Sequence, residues 1–83
     1  MSNVEDVQES VREMFAGVLN LEKVDLDDDF FALGGHSLTA GRLTGRVKRE
    51  LGVRVALSDF FSEPTVRGLS ELVLAARQVR STS

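Results

Sequence analysis

The segment from Gly34 to Ser37 contains the chain's only histidine, next to a serine whose hydroxyl could act as a nucleophile. A catalytic serine needs a base within hydrogen-bond reach and a third group that orients this base. His36 is adjacent in sequence, where side chains generally point apart. The G-x-S-x-G turn of serine hydrolases also fails to match, because Thr39 stands where the second glycine belongs. The segment therefore does not predict self-contained hydrolysis.

Ser37 precedes a stretch with helical periodicity, so we expect it at the N-terminal end of a helix. The unpaired N–H groups and the positive dipole end at such a position favour a negative group. A serine there also commonly caps the helix, with its oxygen accepting from a backbone N–H. Gly34 and Gly35 favour either a tight turn or the close approach of another macromolecule. From these residues alone, Ser37 could either carry a negative group or cap the helix, and the two interpretations of the glycines also stay open.

Composition limits the other chemistry open to the chain. It has 83 residues, enough for one domain, of which 42% are hydrophobic and 28% charged, an ordinary globular composition. Because it has no cysteine and one histidine, it forms no disulfide and offers little to a transition metal, so we expect no metal site. No apolar run approaches the roughly 20 residues that span a bilayer, and no signal sequence is recognisable. We therefore expect a cytoplasmic protein with no membrane partner.

Charge is divided unevenly along the chain. Residues 1–36 carry nine acidic and two basic side chains, whereas residues 37–83 carry four acidic and eight basic ones. A DNA-binding helix-turn-helix would use the cations that follow Ser37, since clustered cations dominate affinity for phosphates. The acidic part opposes such binding, so we expect a solvated basic helix face and no nucleic-acid partner. The cations that lie just after Ser37 are Arg42, Arg46, Lys48, Arg49 and Arg54.

Three stretches repeat apolar residues at spacings of three and four, which is typical of amphipathic helices. They predict a first helix over about residues 3–19, a second over 37–51, and a last helix capped by Thr65. Asn20 and Gly52 are expected to end the first two helices. The apolar positions are Val4, Val7, Val11, Met14, Phe15 and Val18, then Leu38, Ala40, Leu43, Val47 and Leu51, and finally Val66, Leu69, Leu72, Val73 and Ala76.

The segments between these helices are less periodic. Residues 20–36 contain six large apolar side chains, so we expect this long loop to be held against the core. Residues 53–57 alternate like a strand but have no second strand to pair with, which favours an extended connector. Ser58 is expected to cap a short helical turn that carries Phe60 and Phe61.

Together these elements predict an all-α fold, a small four-helix bundle with a long loop between helices 1 and 2 and a short third helix. We expect a single domain over residues 1–83, with its core in about residues 4–76 and a flexible tail over 77–83. Ser2 and Glu5 match a capping box at the start of the first helix.

Three separated blocks of the sequence resemble those of peptidyl carrier proteins, the thiolation domains of nonribosomal peptide synthetases. They are DDDFFALGGHSL at residues 27–38, Arg-Leu at 42–43, and FFSEPTVRGLSELV at 60–73. The resemblance covers about residues 4–76, with the blocks in the family's order and spacing. His36 favours the peptidyl branch, because the related acyl carriers of fatty acid and polyketide synthesis usually have aspartate before the serine.

The resemblance implies that Ser37 carries a covalent 4′-phosphopantetheine arm derived from coenzyme A, flanked by Gly35, His36 and Leu38. It implies a monomeric carrier with no catalytic residue of its own, which holds aminoacyl or peptidyl groups as thioesters. A phosphopantetheinyl transferase with Mg²⁺ would attach the arm and an adenylation enzyme would load it. Condensation, thioesterase or tailoring enzymes would then act on the bound group. An acyl carrier protein of a polyketide or fatty acid pathway stays open as the alternative.

The same resemblance suggests where these partners would bind. We expect a small contact surface on the exposed part of the second helix, the loop before Ser37 and the turn at Phe60 and Phe61. Leu38 could belong either to this surface or entirely to the core.

Overall fold

The structure is a computed structural model. It describes the backbone of residues 4–82 and the side chains of residues 4–77, and this part of the chain contains four helices. The helices are α1 (Val4–Leu19), α2 (Ser37–Leu51), α3 (Leu57–Ser62) and α4 (Val66–Thr82). Within these residues no strand forms, although an isolated β-bridge joins Asp29 to Thr65. The predicted all-α fold with its short third helix is therefore confirmed. None of the described helices is long and apolar enough to cross a membrane. Ser2, assigned to a capping box, lies outside the described residues.

The apolar stripes of the helices meet in one core. α1 packs against α2 and α4, and α3 contacts both α2 and α4. Two residues of the predicted stripes are exposed instead, Val4 by 52% and Leu38 by 65%, and each lies in the first turn of its helix. The buried hydrophobic residues of the helices are Val7, Val11, Met14, Phe15, Ala40, Leu43, Val47, Phe60, Val66, Leu69 and Val73.

Local rules carried by the sequence set most of the helix ends. Asn20 and Gly52 adopt left-handed backbone angles, with φ of 58° and 70°, and follow the last residues of α1 and α2 as predicted. Thr65 caps α4, because its Oγ1 accepts a 2.9 Å hydrogen bond from the N–H of Gly68.

The prediction that Ser58 caps the short helix is wrong. α3 begins at Leu57, and Ala56 occupies the cap position, two residues before Ser58. The carbonyl of Ala56 accepts hydrogen bonds of 3.1 Å from the N–H groups of Asp59 and Phe60. Backbone bonds therefore start this helix without a side-chain cap. Of the predicted connector over residues 53–57, residues 53–56 form neither helix nor strand and Ala56 is extended, whereas Leu57 already belongs to α3.

The long loop between α1 and α2 is held against the start of α4, as its apolar content predicted. Val24 and Phe30 are buried in the core. The N–H of Phe30 donates to the carbonyl of Pro64 over 2.7 Å, and the N–H of Arg67 donates to the carbonyl of Leu26 over 2.9 Å. Because these bonds satisfy backbone groups on both segments, the loop approaches α2 along a defined path.

The backbone of α4 extends further than the sequence predicted. A tail was expected from residue 77, whereas the backbone is helical to Thr82, and Ser83 lies outside the described residues. Residues 77–82 contain neither glycine nor proline, the residues that interrupt a helix most strongly. The flexibility of this tail stays a prediction.

Candidate functional site

A cluster of phenylalanine rings supports the segment that leads to Ser37. Phe30 of the loop lies edge-on to Phe15 of α1 and to Phe60 of α3, with ring centroids 5.3 Å apart in both pairs. At the surface, Phe31 lies 5.6 Å from Phe61 and both rings are partly exposed, by 37% and 42%. Edge-on rings at these distances attract one another in addition to burying apolar area. The loop and α3 are therefore joined beside the start of α2.

The two glycines before His36 have separate structural roles. Gly34 has a φ of 107°, a backbone conformation that side chains strongly disfavour. Gly35 lies so close to Phe30 that a Cβ atom there would overlap the Phe30 ring. The N–H of Gly35 also donates to the Phe30 carbonyl over 3.0 Å. The tight-turn interpretation of this pair is therefore the one that the packing supports.

Ser37 is the first residue of α2 and does not cap it. The cap position belongs to His36, whose backbone is extended with φ −149° and ψ −179°. The hydroxyl of Thr39 accepts a 2.8 Å hydrogen bond from the N–H of His36. Within residues 4–77, no group forms a hydrogen bond with the exposed Ser37 hydroxyl. The interpretation of Ser37 as a helix cap is therefore wrong, because Thr39 takes part in capping instead.

The surroundings of Ser37 favour a negatively charged group. The first turn of α2 contains no acidic residue, and the positive end of the helix dipole lies there. In the acidic run before the glycines, the Asp29 carboxylate is hydrogen-bonded within its own loop. It accepts from the N–H groups of Phe31 and Ala32, over 2.8 and 3.1 Å. A phosphate joined to Ser37 would therefore fit this helix end.

Asp27, in the same acidic run, is held by Arg67 of α4. The guanidinium donates two hydrogen bonds to the carboxylate, of 2.7 and 3.2 Å. The hydrogen bond with Arg67 holds the pKa of Asp27 below its usual range, and the charge of Arg67 acts in the same direction. The negative charge of Asp27 is thus paired with a positive charge on α4.

The flanking residues predicted with Ser37 differ in their exposure. Gly35 is partly buried against Phe30, whereas His36 and Leu38 are exposed. The burial considered for Leu38 is not observed, because 65% of this residue is accessible. The geometry therefore places a hydroxyl, an imidazole and an apolar side chain together on an open surface.

Thr39 is the residue of this site that sequence reasoning missed. It was considered only as a mismatch to the serine hydrolase turn. A hydroxyl three residues after a cap position is the pattern that could have identified it, since side chains at this position reach back to the cap N–H. Serine's strong preference for the cap position directed attention to Ser37 instead.

The site presents the Ser37 hydroxyl on an open surface. Three cavities in the described part of the chain lie away from Ser37, one between α1 and the loop at Lys23 and two beside α4 at Leu72. Among residues 4–77 there is no cluster of three or more histidine and carboxylate side chains that could hold a metal ion. Chemically, this arrangement suits a hydroxyl that another enzyme modifies.

Comparison with known proteins identifies the class of carrier to which this arrangement belongs. Residues 9–73 match the family described as "phosphopantetheine attachment site". The chain therefore belongs to this family, whose members carry 4′-phosphopantetheine covalently.

Solved structures and sequence relatives narrow the class further. A peptidyl carrier protein, solved with the phosphopantetheine transferase Sfp and coenzyme A, is 31% identical with a TM-score of 0.82, covering 90% of this chain and 95% of that one. A prototype for the peptidyl carrier domains of modular peptide synthetases is 33% identical with a TM-score of 0.75, covering 88% and 93% of the two chains. The chain is a peptidyl carrier domain of nonribosomal peptide synthesis, as the motif blocks predicted.

The sequence relatives are much longer proteins. The probable non-canonical nonribosomal peptide synthetase CymA of Salinispora arenicola is 48% identical over 64 residues. This match covers 77% of the present chain and 1% of that synthetase. The similarity therefore concerns the carrier domain alone.

Proposed function

We propose that Ser37 is the residue to which the 4′-phosphopantetheine arm is attached. The observation that carries this proposal is the exposed Ser37 hydroxyl at the first position of α2, without a hydrogen-bond partner among the described side chains and backbone groups. A phosphodiester formed there gains from the helix dipole. Gly35, His36 and Leu38 flank the attached group, with Leu38 and His36 accessible to the enzyme that delivers it.

The arm, when attached, supplies a thiol that holds aminoacyl or peptidyl groups as thioesters. The role of the chain is to tether this thiol and to raise its effective concentration at each partner's active site. Because no base within residues 4–77 contacts the Ser37 hydroxyl, the modifying enzyme must accept its proton. The chain therefore acts as a carrier that partner enzymes modify and load, without catalysis of its own.

The partner surface proposed here surrounds Ser37. The exposed apolar side chains of Phe31, Leu38 and Phe61 come from the loop, α2 and α3. The rings of Phe31 and Phe61 adjoin, with centroids 5.6 Å apart, and adjoining exposed apolar side chains are candidates for a contact site. The proposed partners are a phosphopantetheinyl transferase, an adenylation enzyme, and condensation, thioesterase or tailoring enzymes. A structure that pairs a peptidyl carrier protein with the transferase Sfp supports the first of these. We further propose a monomer that works in the cytoplasm.

Intact-mass measurement tests the attachment residue. The unmodified protein is incubated with coenzyme A, Mg²⁺ and a phosphopantetheinyl transferase of broad specificity, in parallel with Ser37→Ala and Ser58→Ala. Ser58 is the control because it is also an exposed helical serine. We expect one phosphopantetheine added to the parent and to Ser58→Ala, and none to Ser37→Ala. A folded parent that gains no mass, or addition to Ser37→Ala, would contradict the proposal.

A further inference from the structure

We propose that Thr39 is a positioning residue that keeps the Ser37 hydroxyl out of the helix cap and so available for modification. This inference rests on the proposed function of Ser37 and concerns how its reactive atom is presented. Thr39 lies two residues after Ser37, in the first turn of α2.

The hydroxyl of Thr39 holds the backbone of His36 at two points. Its oxygen accepts from the His36 N–H over 2.8 Å, and its hydrogen is donated to the His36 carbonyl over 2.8 Å. The same carbonyl accepts from the N–H of Ala40 over 2.8 Å, the first helical bond of α2. These three bonds all require His36 to be the cap residue, and they therefore define Ser37 as the first residue inside the helix.

A second arrangement competes with this one. Serine ranks among the strongest cap residues, and histidine does not. If the helix began one residue later, Ser37 would be the cap and its Oγ would accept from the N–H of Thr39 or Ala40. In that later register His36 would lie outside the helix, and the Thr39 hydroxyl would lose its two hydrogen bonds to the His36 backbone. Thr39 therefore favours the register in which the Ser37 hydroxyl is unpartnered.

The register matters because the Ser37 oxygen must reach phosphorus. In the transfer step, a bond forms between Oγ and the phosphorus that bears pantetheine, and the phosphoanhydride bond of coenzyme A breaks. Adenosine bisphosphate leaves, and the hydroxyl proton passes to a base of the transferase. An Oγ held against backbone N–H groups is withdrawn from this reaction. Only the fraction of molecules with His36 as cap is competent, and a smaller competent fraction weakens the apparent affinity.

Steady-state modification kinetics with coenzyme A and Mg²⁺ at saturation test this inference. For Thr39→Val, we expect the KM for the carrier to rise by up to about fivefold with kcat unchanged, because losing a typical helix cap shifts the equilibrium between the two registers about fivefold and the competent fraction falls by at most that factor. Thr39→Ser keeps the hydroxyl and should restore the parental KM. Thr44→Val is the matched control: its hydroxyl, in the same helix, donates to the Gly41 carbonyl over 3.1 Å and forms no other hydrogen bond with the described residues, so its KM should stay at the parental value.

A structural readout separates positioning from a general loss of stability. NMR chemical shifts of the Ser37 Cα and Cβ should move from helical toward extended values in Thr39→Val and stay helical in Thr44→Val. A parent that accepts no arm would overturn the proposed function and this inference with it. A modified parent with an unchanged KM and unchanged Ser37 shifts in Thr39→Val would overturn the inference alone.

Discussion

Gly35 connects the packing of the core to the position of Ser37. Its backbone lies against the Phe30 ring, where a Cβ would overlap the ring. Phe30 itself is completely buried between α1 and α3. A side chain at residue 35 must therefore displace either the core ring or the backbone that leads into α2. The glycine pair is thus a requirement of packing as well as of access to the serine.

We predict that Gly35→Ala lowers the free energy of unfolding by about 1–3 kcal/mol, the usual range for overpacking a core. Gly45→Ala provides a control of opposite sign, because a Cβ there meets nothing within 4 Å. This control should raise stability by about 0.5–1 kcal/mol, since alanine is the better helix former. Urea denaturation of both variants measures the difference. Equal stability of Gly35→Ala and the parent would show that the Phe30 ring does not constrain this turn.

At the scale of the elements, the loop between α1 and α2 is attached to the start of α4 by a charged pair as well as by backbone bonds. Asp27 and Arg67 are 40 residues apart in sequence and form two hydrogen bonds. Both side chains are largely exposed, so the pair is screened by solvent and its contribution to stability is small. Its signature should be a dependence on pH.

We predict that the Asp27–Arg67 pair stabilises the protein at neutral pH and loses this effect in acid. The hydrogen bond with Arg67 lowers the pKa of Asp27 in the folded state below the ordinary value of 3.8. A lowered carboxyl pKa stabilises the fold above the unfolded-state value, and this effect is lost as the pH falls through the folded-state value. Asp27→Asn should therefore lower Tm at pH 7. This Tm difference from the parent should disappear at a pH well below the ordinary pKa of 3.8, where Asp27 is protonated in the folded parent as well.

Asp25→Asn is the control for this pH experiment, because it removes the same charge from the same exposed loop without removing the pair with Arg67. Its Tm difference from the parent should be smaller at pH 7 than that of Asp27→Asn. A Tm difference for Asp27→Asn that is constant from pH 7 down to strongly acidic pH would contradict the assigned pKa direction.

The helices could be predicted from the sequence more completely than the details at their ends. The bounds of α2 follow from the spacing of its apolar residues and from the position of Gly52. Both can be read directly from the sequence. The cap of α2 could not be found in this way, because it is decided by competition between Ser37 and the reciprocal bonds of Thr39 with His36. The exposure of Leu38 depends on which neighbouring elements cover the first turn of α2. The spacing of apolar residues does not give this information.

For the molecule as a whole, the phenylalanine cluster joins elements that are distant in sequence. Phe15 of α1, Phe30 of the loop and Phe60 of α3 are fully buried and contact one another through their ring edges. Phe31 and Phe61 extend the same cluster to the surface beside the start of α2. The inner rings therefore stabilise the fold, whereas the outer pair is available for contact with a partner. This division leads to opposite expectations for the two adjacent residues of the double phenylalanine.

We predict that Phe30→Ala removes about 3–5 kcal/mol of stability, the usual loss for a buried phenylalanine. A chain of 83 residues has only about 4–12 kcal/mol to lose, at roughly 0.05–0.15 kcal/mol per residue. The cooperative transition in urea should therefore shift far toward zero denaturant or disappear. Phe31→Ala truncates a ring that is already 37% exposed, and it should keep most of the transition midpoint while raising the KM of the modifying transferase. Similar losses of stability in both variants would show that the outer ring also belongs to the core, and the partner surface would then have to be sought at Leu38 and α2 alone.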